Sequence, residues 1–365
     1  MLKFHALRVA SVAPDAEDAV AIELEVPEAL RAEYRGAPGQ HVVVRTTIDG
    51  QETRRTYSLV NAPGEWPLRL VPRVHARGLM SRYLAEQLRA GDALEVLPPN
   101  GSFTPRAAAH PGGSYVAFAA GCGITPVLSV VRSLLAHEAA RVILFYGNSG
   151  SARTMCLEDL LALKDRHLGR LSLHFLMSRE PQEVELYNGR IDAARVRQFA
   201  GVLFEPRQVT EFFLCGPGDM IEQVSTTLRE LGVEPARVHA EHFTVATAAP
   251  AAAGAARPAG ATPAGGPAAA ADQAEVTILM DGRRRSFAMK RDEETVLDAA
   301  ARAGIDLPFS CRAGVCSTCR TKVVRGEVAM AQNYALEDWE LEQGYVLACQ
   351  SRVKTAVLEL DYDEK

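Results

Sequence analysis

Short runs that alternate apolar with polar residues fill the first 110 positions: ALRVASV, VAIELEVP, HVVVRTTI, LRLVPRV and ALEVLPP, each broken by Pro or Gly. Period-two alternation at this length predicts half-buried strands, and their density predicts a small antiparallel barrel or sandwich. At HPGGSY, residues 110–115, the rhythm changes. Continuous apolar runs (YVAFAAG, RVILFYGN, LSLHFLMS, EFFLCG) now alternate with helical patterns such as TPVLSVVRSLLAHE, LEDLLALKDR and DMIEQVSTTLRELG. Strands apolar on both faces and separated by helices predict a parallel, doubly wound sheet. From Thr244 to Gln273 the chain is almost wholly Ala, Pro and Gly, with nothing large to bury, and the expectation there is a disordered tether. Beyond it, AEVTILMDGRRRSFAMK predicts a hairpin turning at Asp281-Gly282, followed by a short helix, a cysteine-bearing loop and further short strands. No internal repeat is present. The expected division is 1–110, 111–243, a linker over 244–273, and 274–365.

Composition narrows the function. The 365 residues are 47% hydrophobic and 23% charged, enough for several real cores. A net charge of −5 supplies no basic field for nucleic acid. No run approaches the roughly 18 apolar residues of a membrane span, and MLKFHALRVASV lacks the apolar centre of a signal peptide. A cytoplasmic protein is expected. Seven cysteines, an odd number, suit metal or redox chemistry better than a disulfide framework.

Four of them, Cys311, Cys316, Cys319 and Cys349, spell C-x4-C-x2-C-x29-C. A plant-type [2Fe–2S] cluster takes four thiolates at C-x4-C-x2-C plus one distant cysteine. Ala313, Gly314, Ser317 and Thr318 are small enough to let such a loop wrap its sulfurs. Structural zinc also uses four cysteines, but usually as two C-x2-C pairs on separate knuckles, whereas three of these share one loop. Cys122 and Cys156 read as small apolar fillers.

RRTYSLVN, residues 54–61, places an Arg, an aromatic and a hydroxyl where a flavin dinucleotide would use them. Arg55 would neutralise pyrophosphate, Tyr57 would lie against the ring or ribityl chain, and Ser58 would bond near N5. In RGLMSRY, Gly78 and Ser81 stand ahead of a predicted helix, a placement suited to phosphate at its N-terminus. AAGCGITPVLSVV combines a strand, a glycine turn and a helix start: Gly121 and Gly123 permit close backbone approach, and Thr125 and Pro126 open the helix. It departs from the ordinary dinucleotide fingerprint. Cys215 and Gly216 end a later strand, at the edge where such sheets bind ligands. Ser178 and Arg179, closing the third strand, favour the 2′-phosphate of NADPH, while the neighbouring Glu180 points toward NADH.

In this order the motifs resemble the ferredoxin–NADP reductase-like flavoproteins fused to a C-terminal plant-type ferredoxin domain. Within that family FHALRV, APGQHVVV, YGN, NGRID, CGPGDM and above all NYALEDWELEQGYVLACQS are similar to the reductase subunits of phenylacetyl-CoA epoxidases, of phenylacetate catabolism. The resemblance implies a multi-domain α+β and α/β architecture: an antiparallel β-barrel for FAD, a doubly wound sheet for NAD(P), and a β-grasp ferredoxin domain. It further implies that Arg55, Tyr57, Ser58 and Ser81 bind FAD and that Gly121, Gly123, Thr125 and Pro126 hold the nicotinamide nucleotide. Cys215 and Glu241 would flank the reacting atoms, with Phe243 over the ring. The chain departs from the pattern at Cys122, in its long tether, and at EHF (241–243), where E-R-F is expected. The implied activity passes electrons from NADPH through FAD and the cluster to a di-iron oxygenase. Alternatives are a reductase for a Rieske-type ring-hydroxylating oxygenase or a steroid hydroxylase, or a redox-sensing or assembly module without turnover. The acidic LEDWELEQG and the basic Arg312, Arg320 and Arg325 read as solvated surface rather than a docking face.

Overall fold

The computed structural model describes residues 3–106, 112–243, 273–336 and 338–364. They fall into two compact units, one within residues 4–243 and one within 273–364. The Ala/Pro/Gly tether expected over 244–273 lies outside the described residues, except that Gln273 opens a strand.

The first unit begins with six antiparallel strands: β1 (His5–Ala16), β2 (Ala19–Glu25), β3 (His41–Ile48), β4 (Gln51–Ser58), β5 (Leu68–Leu70) and β6 (Ala93–Val96), with two helices, α1 (Arg31–Tyr34) and α2 (Leu79–Glu86). Their order is β4-β3-β6-β1-β2-β5. An antiparallel bridge from Leu59, just past β4, to Leu70 of β5 joins the two ends, so the sheet closes as a barrel. Alternation fills the interior with Leu7, Val9, Ile22, Leu24, Val42, Val44, Leu94 and Val96. The β3–β4 turn has positive φ at both Asp49 and Gly50, a combination that matches the twist of a two-residue hairpin.

Five parallel strands follow: β7 (Ser114–Ala120), β8 (Arg141–Asn148), β9 (Leu171–Met177), β10 (Glu211–Gly216) and β11 (Val238–His242), in the order β11-β10-β7-β8-β9. Helices α3 (Ile124–Leu135), α4 (Leu157–Arg166), α5 (Ala193–Phe199) and α6 (Gly218–Glu230) cover both faces. Tyr115, Ala117, Ala119, Phe213 and Cys215 face the core shared with α3, α4 and the barrel residues Ala19, Val60, Val71 and Phe103. Their alternates Val116, Phe118, Phe212 and Leu214 face α5 and α6. Barrel and sheet therefore share one apolar core. Half-buried ion pairs flank it: Arg69 of the barrel and Arg132 of α3 both hold Asp159 of α4, while Arg153 pairs with Asp18.

The second unit carries β12 (Gln273–Met280), β13 (Arg283–Lys290), β14 (Arg320–Arg325), β15 (Val328–Met330), β16 (Tyr345–Leu347), β17 (Ser351–Val353) and β18 (Val357–Asp361). A mixed sheet runs β13-β12-β18-β14-β16, and β15 pairs with β17. The β12–β13 hairpin turns at Asp281 and Gly282, both at positive φ. Helix α7 (Val296–Arg302) is capped by Thr295, whose hydroxyl accepts from the Asp298 amide, and it buries Val296, Leu297, Ala299 and Ala300 on the sheet. One helix grasped by a mixed sheet is the β-grasp arrangement. A short helix, α8 (Asp338–Glu342), precedes β16.

Candidate redox site

The loop from Ser310 to Cys319 is shaped by its small residues. Arg312, Gly314 and Ser317 take positive φ, and a Cβ on Gly314 would stand 3.0 Å from the Gln332 carbonyl oxygen. Cys349 comes from the turn after β16. The Ala348 amide donates to the Cys319 carbonyl at 3.1 Å, which ties that turn to the loop. The thiols of Cys316 and Cys349 reach Cys311, and Cys319 reaches Cys349. With two neighbouring thiols and the amides of Ala313 and Val315 donating to it, Cys311 is held far below the usual thiol range. Among the described residues no three of these sulfurs lie mutually within 4.8 Å, as ligands of a single ion would. Four soft donors joined in a chain fit a two-iron cluster, with two sulfurs on each iron. They fit one tetrahedral zinc poorly.

Of the charges flanking this loop, Arg312, Arg325 and Glu342 are exposed as expected, whereas Glu340 and its partner Arg320 depart from solvated surface. Helix α8 turns Glu340 inward until it is 1% exposed, and Arg320 donates to it at 2.7 Å while lying 4.2 Å over the Tyr345 ring. A carboxylate buried this deeply needs a paired cation, which the residue next to Cys319 supplies.

In the first unit, Ser58 ends β4 directly opposite His41 of β3, so the two side chains share a face. The His41 Nδ1 stands 3.5 Å from Glu241 Oε1 of β11, and Glu241 pairs in register with Cys215 of β10. Ser58, His41, Cys215 and Glu241 thus meet where the barrel abuts the carboxyl end of the sheet. All four are buried, and Ser58 Oγ, His41 Nε2 and Glu241 Oε2 have no hydrogen-bond partner among the described residues. Unsatisfied polar atoms at such depth are expected where a polar ligand completes them. Burial, and then the Glu241 charge, push the Cys215 thiol well up, so it stays neutral. These orphaned atoms fit a flavin edge with a nicotinamide against it. His41 is the member that the sequence left unassigned; its trace there is one polar residue in the run APGQHVVV.

The remaining predicted residues lie around this centre. Tyr57 is half-buried against the barrel core, and desolvation pushes its phenol up. Arg55 is exposed, and its Nη1 donates to the Arg54 carbonyl at 2.7 Å. Gly78 caps α2, but the Ser81 hydroxyl accepts from the His75 amide at 3.2 Å, so it braces the loop. Gly121 sits at positive φ in a 3-10 turn, and a Cβ on Gly123 would lie 2.0 Å from the Cys215 carbonyl oxygen. Thr125 donates to the Cys122 carbonyl, and Pro126 lies in the first turn of α3. That helix start holds no acidic residue and no side-chain cap, which leaves its amides to an anion. Gly216 ends β10. Ser178 and Arg179 project exposed beyond β9 at the opposite edge, and Phe243 packs on the shared core just after β11. Asp15, Cys156 and Asp159 also converge within 4.8 Å, but Arg69 and Arg132 already neutralise the carboxylates, so this is an ion network.

Three family models match successive parts of the chain: an oxidoreductase FAD-binding domain over residues 11–104, an oxidoreductase NAD-binding domain over 118–226, and a 2Fe-2S iron-sulfur cluster binding domain over 278–354. A subunit of the 1,2-phenylacetyl-CoA epoxidase of Escherichia coli (strain K12) is 38% identical over 368 residues, covering 100% of this chain and 99% of that one. The chain belongs to the flavin and iron–sulfur reductases of multicomponent oxygenases. Another member, the ferredoxin reductase component of 3-ketosteroid-9-alpha-monooxygenase from Rhodococcus rhodochrous, is 33% identical over 98% of this chain and 96% of its own. Phthalate dioxygenase reductase, described as a modular structure for electron transfer from pyridine nucleotides to [2Fe-2S], matches with a TM-score of 0.57 at 25% identity over 98% of both chains. An intact type IV self-sufficient cytochrome P450 monooxygenase shares the fold, with a TM-score of 0.69 at 21% identity, covering 98% of this chain and 41% of that one. The protein is an electron-transfer oxidoreductase with FAD, NAD(P) and 2Fe-2S domains. Among the described residues no helix is long and apolar enough to cross a membrane.

Proposed function

We propose that this reductase draws on NADPH in the cytoplasm and delivers electrons to a di-iron oxygenase, the phenylacetyl-CoA 1,2-epoxidase. The observation that carries the reading is the meeting of Ser58, His41, Glu241 and Cys215 at the barrel–sheet junction, with three buried polar atoms unpartnered. Bound FAD would supply the conversion of a hydride's electron pair into single electrons, and the cluster would carry them one at a time. The chain's own part is to hold and exclude. Gly121, Gly123 and the bare first turn of α3 accept the nucleotide's phosphates. Cys215, kept neutral, would add no charge beside the nicotinamide, Ser58 would donate to the flavin, and Glu241, braced by His41, would help exclude water from the junction. Cys311, Cys316, Cys319 and Cys349 ligate the cluster.

The preference for NADPH rests on the end of β9. Glu180 accepts from the Ser151 amide at 2.7 Å and its hydroxyl at 2.9 Å, so the residue that would favour an unphosphorylated ribose is engaged elsewhere. Arg179 carries no ion pair among the described residues and remains available to a 2′-phosphate. The di-iron client rests on the 38% identity across the whole length of the Escherichia coli epoxidase component.

The test is Cys349→Ser in the flavin-loaded protein. NADPH should still bleach the flavin at the wild-type rate, while the electron paramagnetic resonance signal of the reduced cluster and epoxidation by added oxygenase components are lost. Equal loss of flavin reduction would sink the modular scheme. Coupling to a Rieske or steroid oxygenase in place of the di-iron one would reassign the client.

A further inference from the structure

Asn148 is the last residue of β8, and β8 lies between β7, which leads into the Gly121 turn, and β9, which leads to Ser178 and Arg179. The register Ala120↔Gly147 sets Asn148 level with Gly121 at the carboxyl edge of the sheet. Its backbone is committed, since its carbonyl accepts from the Ser178 amide at 2.9 Å. Its side chain is not. The residue is 8% exposed, yet neither Nδ2 nor Oδ1 has a hydrogen-bond partner among the described residues.

The neighbouring polar group does not relieve this. Tyr146, two residues earlier on the same strand face, gives its hydroxyl to the carbonyls of Gly121 at 3.0 Å and Met155 at 3.3 Å. Burial pushes the Tyr146 phenol up, and the Asn148 amide, the nearest polar side chain, opposes that rise only in part; it closes no regular hydrogen bond, and the phenol is already spent on the two carbonyls. A buried primary amide with donor and acceptor both idle is a net cost to the folded chain.

We infer that Asn148 is a binding residue for the nicotinamide nucleotide, and that it takes a ribose hydroxyl rather than a phosphate. The chemistry of the amide selects the group. A phosphate oxygen accepts only and would leave Oδ1 unsatisfied, whereas a hydroxyl both donates and accepts and so can answer either atom. The position agrees: the residue stands between the turn suited to the pyrophosphate and the arginine suited to the 2′-phosphate. This inference rests on the nucleotide site proposed above.

The test uses the full-length, flavin-loaded protein, titrated calorimetrically with NADP+ and melted without nucleotide. Asn148→Leu, similar in volume and apolar, should weaken NADP+ binding by about 5- to 50-fold, the worth of one or two neutral hydrogen bonds. The same variant should melt at the wild-type temperature or about 2–4 °C higher, because an unsatisfied buried amide has gone. A structural role predicts the opposite pair, a lower melting temperature with unchanged affinity, and would overturn the inference. Inorganic pyrophosphate, which carries no ribose, should bind Asn148→Leu as it binds wild type. A loss for pyrophosphate that matches the loss for NADP+ would place a phosphate there and refute the ribose assignment. Wild-type protein that fails to bind NADP+ would instead remove the underlying site.

Discussion

Replacing Gly123 by Ala perturbs the nucleotide turn at its tightest point. The added Cβ would lie 2.0 Å from the carbonyl oxygen of Cys215, 2.4 Å from its carbonyl carbon and 2.9 Å from the Gly216 nitrogen. A comfortable carbon–oxygen contact is about 3.3 Å, so more than about 1 Å of separation must open. The atoms struck are backbone, and β10 cannot withdraw, because β7 and β11 hydrogen-bond it on both sides. The turn must lift instead, carrying the first residues of α3 with it. Overpacking costs about 1–3 kcal/mol where side chains can yield; against fixed backbone the upper end applies, about 3 kcal/mol. For a unit of this size that is a fall of about 6–12 °C in the melting temperature. Gly121→Ala is the control. There the Cβ meets only Arg73 Nη1, at 3.4 Å, and the penalty is the left-handed φ of +56, about 1–2 kcal/mol. Thermal unfolding by circular dichroism, paired with NADP+ titration, should rank Gly123→Ala as the more damaging in both. A Gly123→Ala protein that matches wild type, or is milder than Gly121→Ala, would refute the close-approach reasoning.

Arg179→Ala should lower kcat/KM for NADPH by about tenfold or more while leaving NADH turnover unchanged, since only the phosphorylated ribose loses a charged partner; an equal fall with both nucleotides in steady-state assays would count against that role. His41→Ala leaves the Glu241 carboxylate without the imidazole 3.5 Å away, and flavin reduction followed by stopped flow should slow with FAD content unchanged, with His41→Gln restoring part of the rate. Arg320→Ala would take from the buried Glu340 the cation that donates to it at 2.7 Å and should cost up to about 3 kcal/mol in denaturant unfolding of the cluster-bearing unit, a loss that the double variant with Glu340→Gln should largely recover. Burial holds the Cys156 and Cys215 thiols well above their ordinary pKa of 9.0. They stay protonated when folded, whereas the unfolded chain sheds these protons above about pH 9. Stability is therefore full below that pH and should drop as pH rises, by about 1.4 kcal/mol per unit for each group; a melting temperature flat from pH 8.5 to 10.5 would contradict the burial argument.

Local chemistry was legible in the chain wherever covalent spacing alone decides it. C-x4-C-x2-C announces three ligands on one loop because a cluster imposes that spacing, and period-two and helical patterns announce barrel strands and a doubly wound sheet because each strand must satisfy its own faces. The Asp281-Gly282 hairpin is of the same kind, since positive φ at two successive positions is a demand on those residues alone. Other features depend on which distant strands lie side by side. His41 and Glu241 are 200 positions apart and meet only because β3 abuts β11 across the barrel–sheet junction. The idleness of Asn148 and the burial of Glu340 are likewise invisible until neighbours are placed. An amide or a carboxylate looks the same in sequence whether water or protein surrounds it, and only the tertiary structure removes the water.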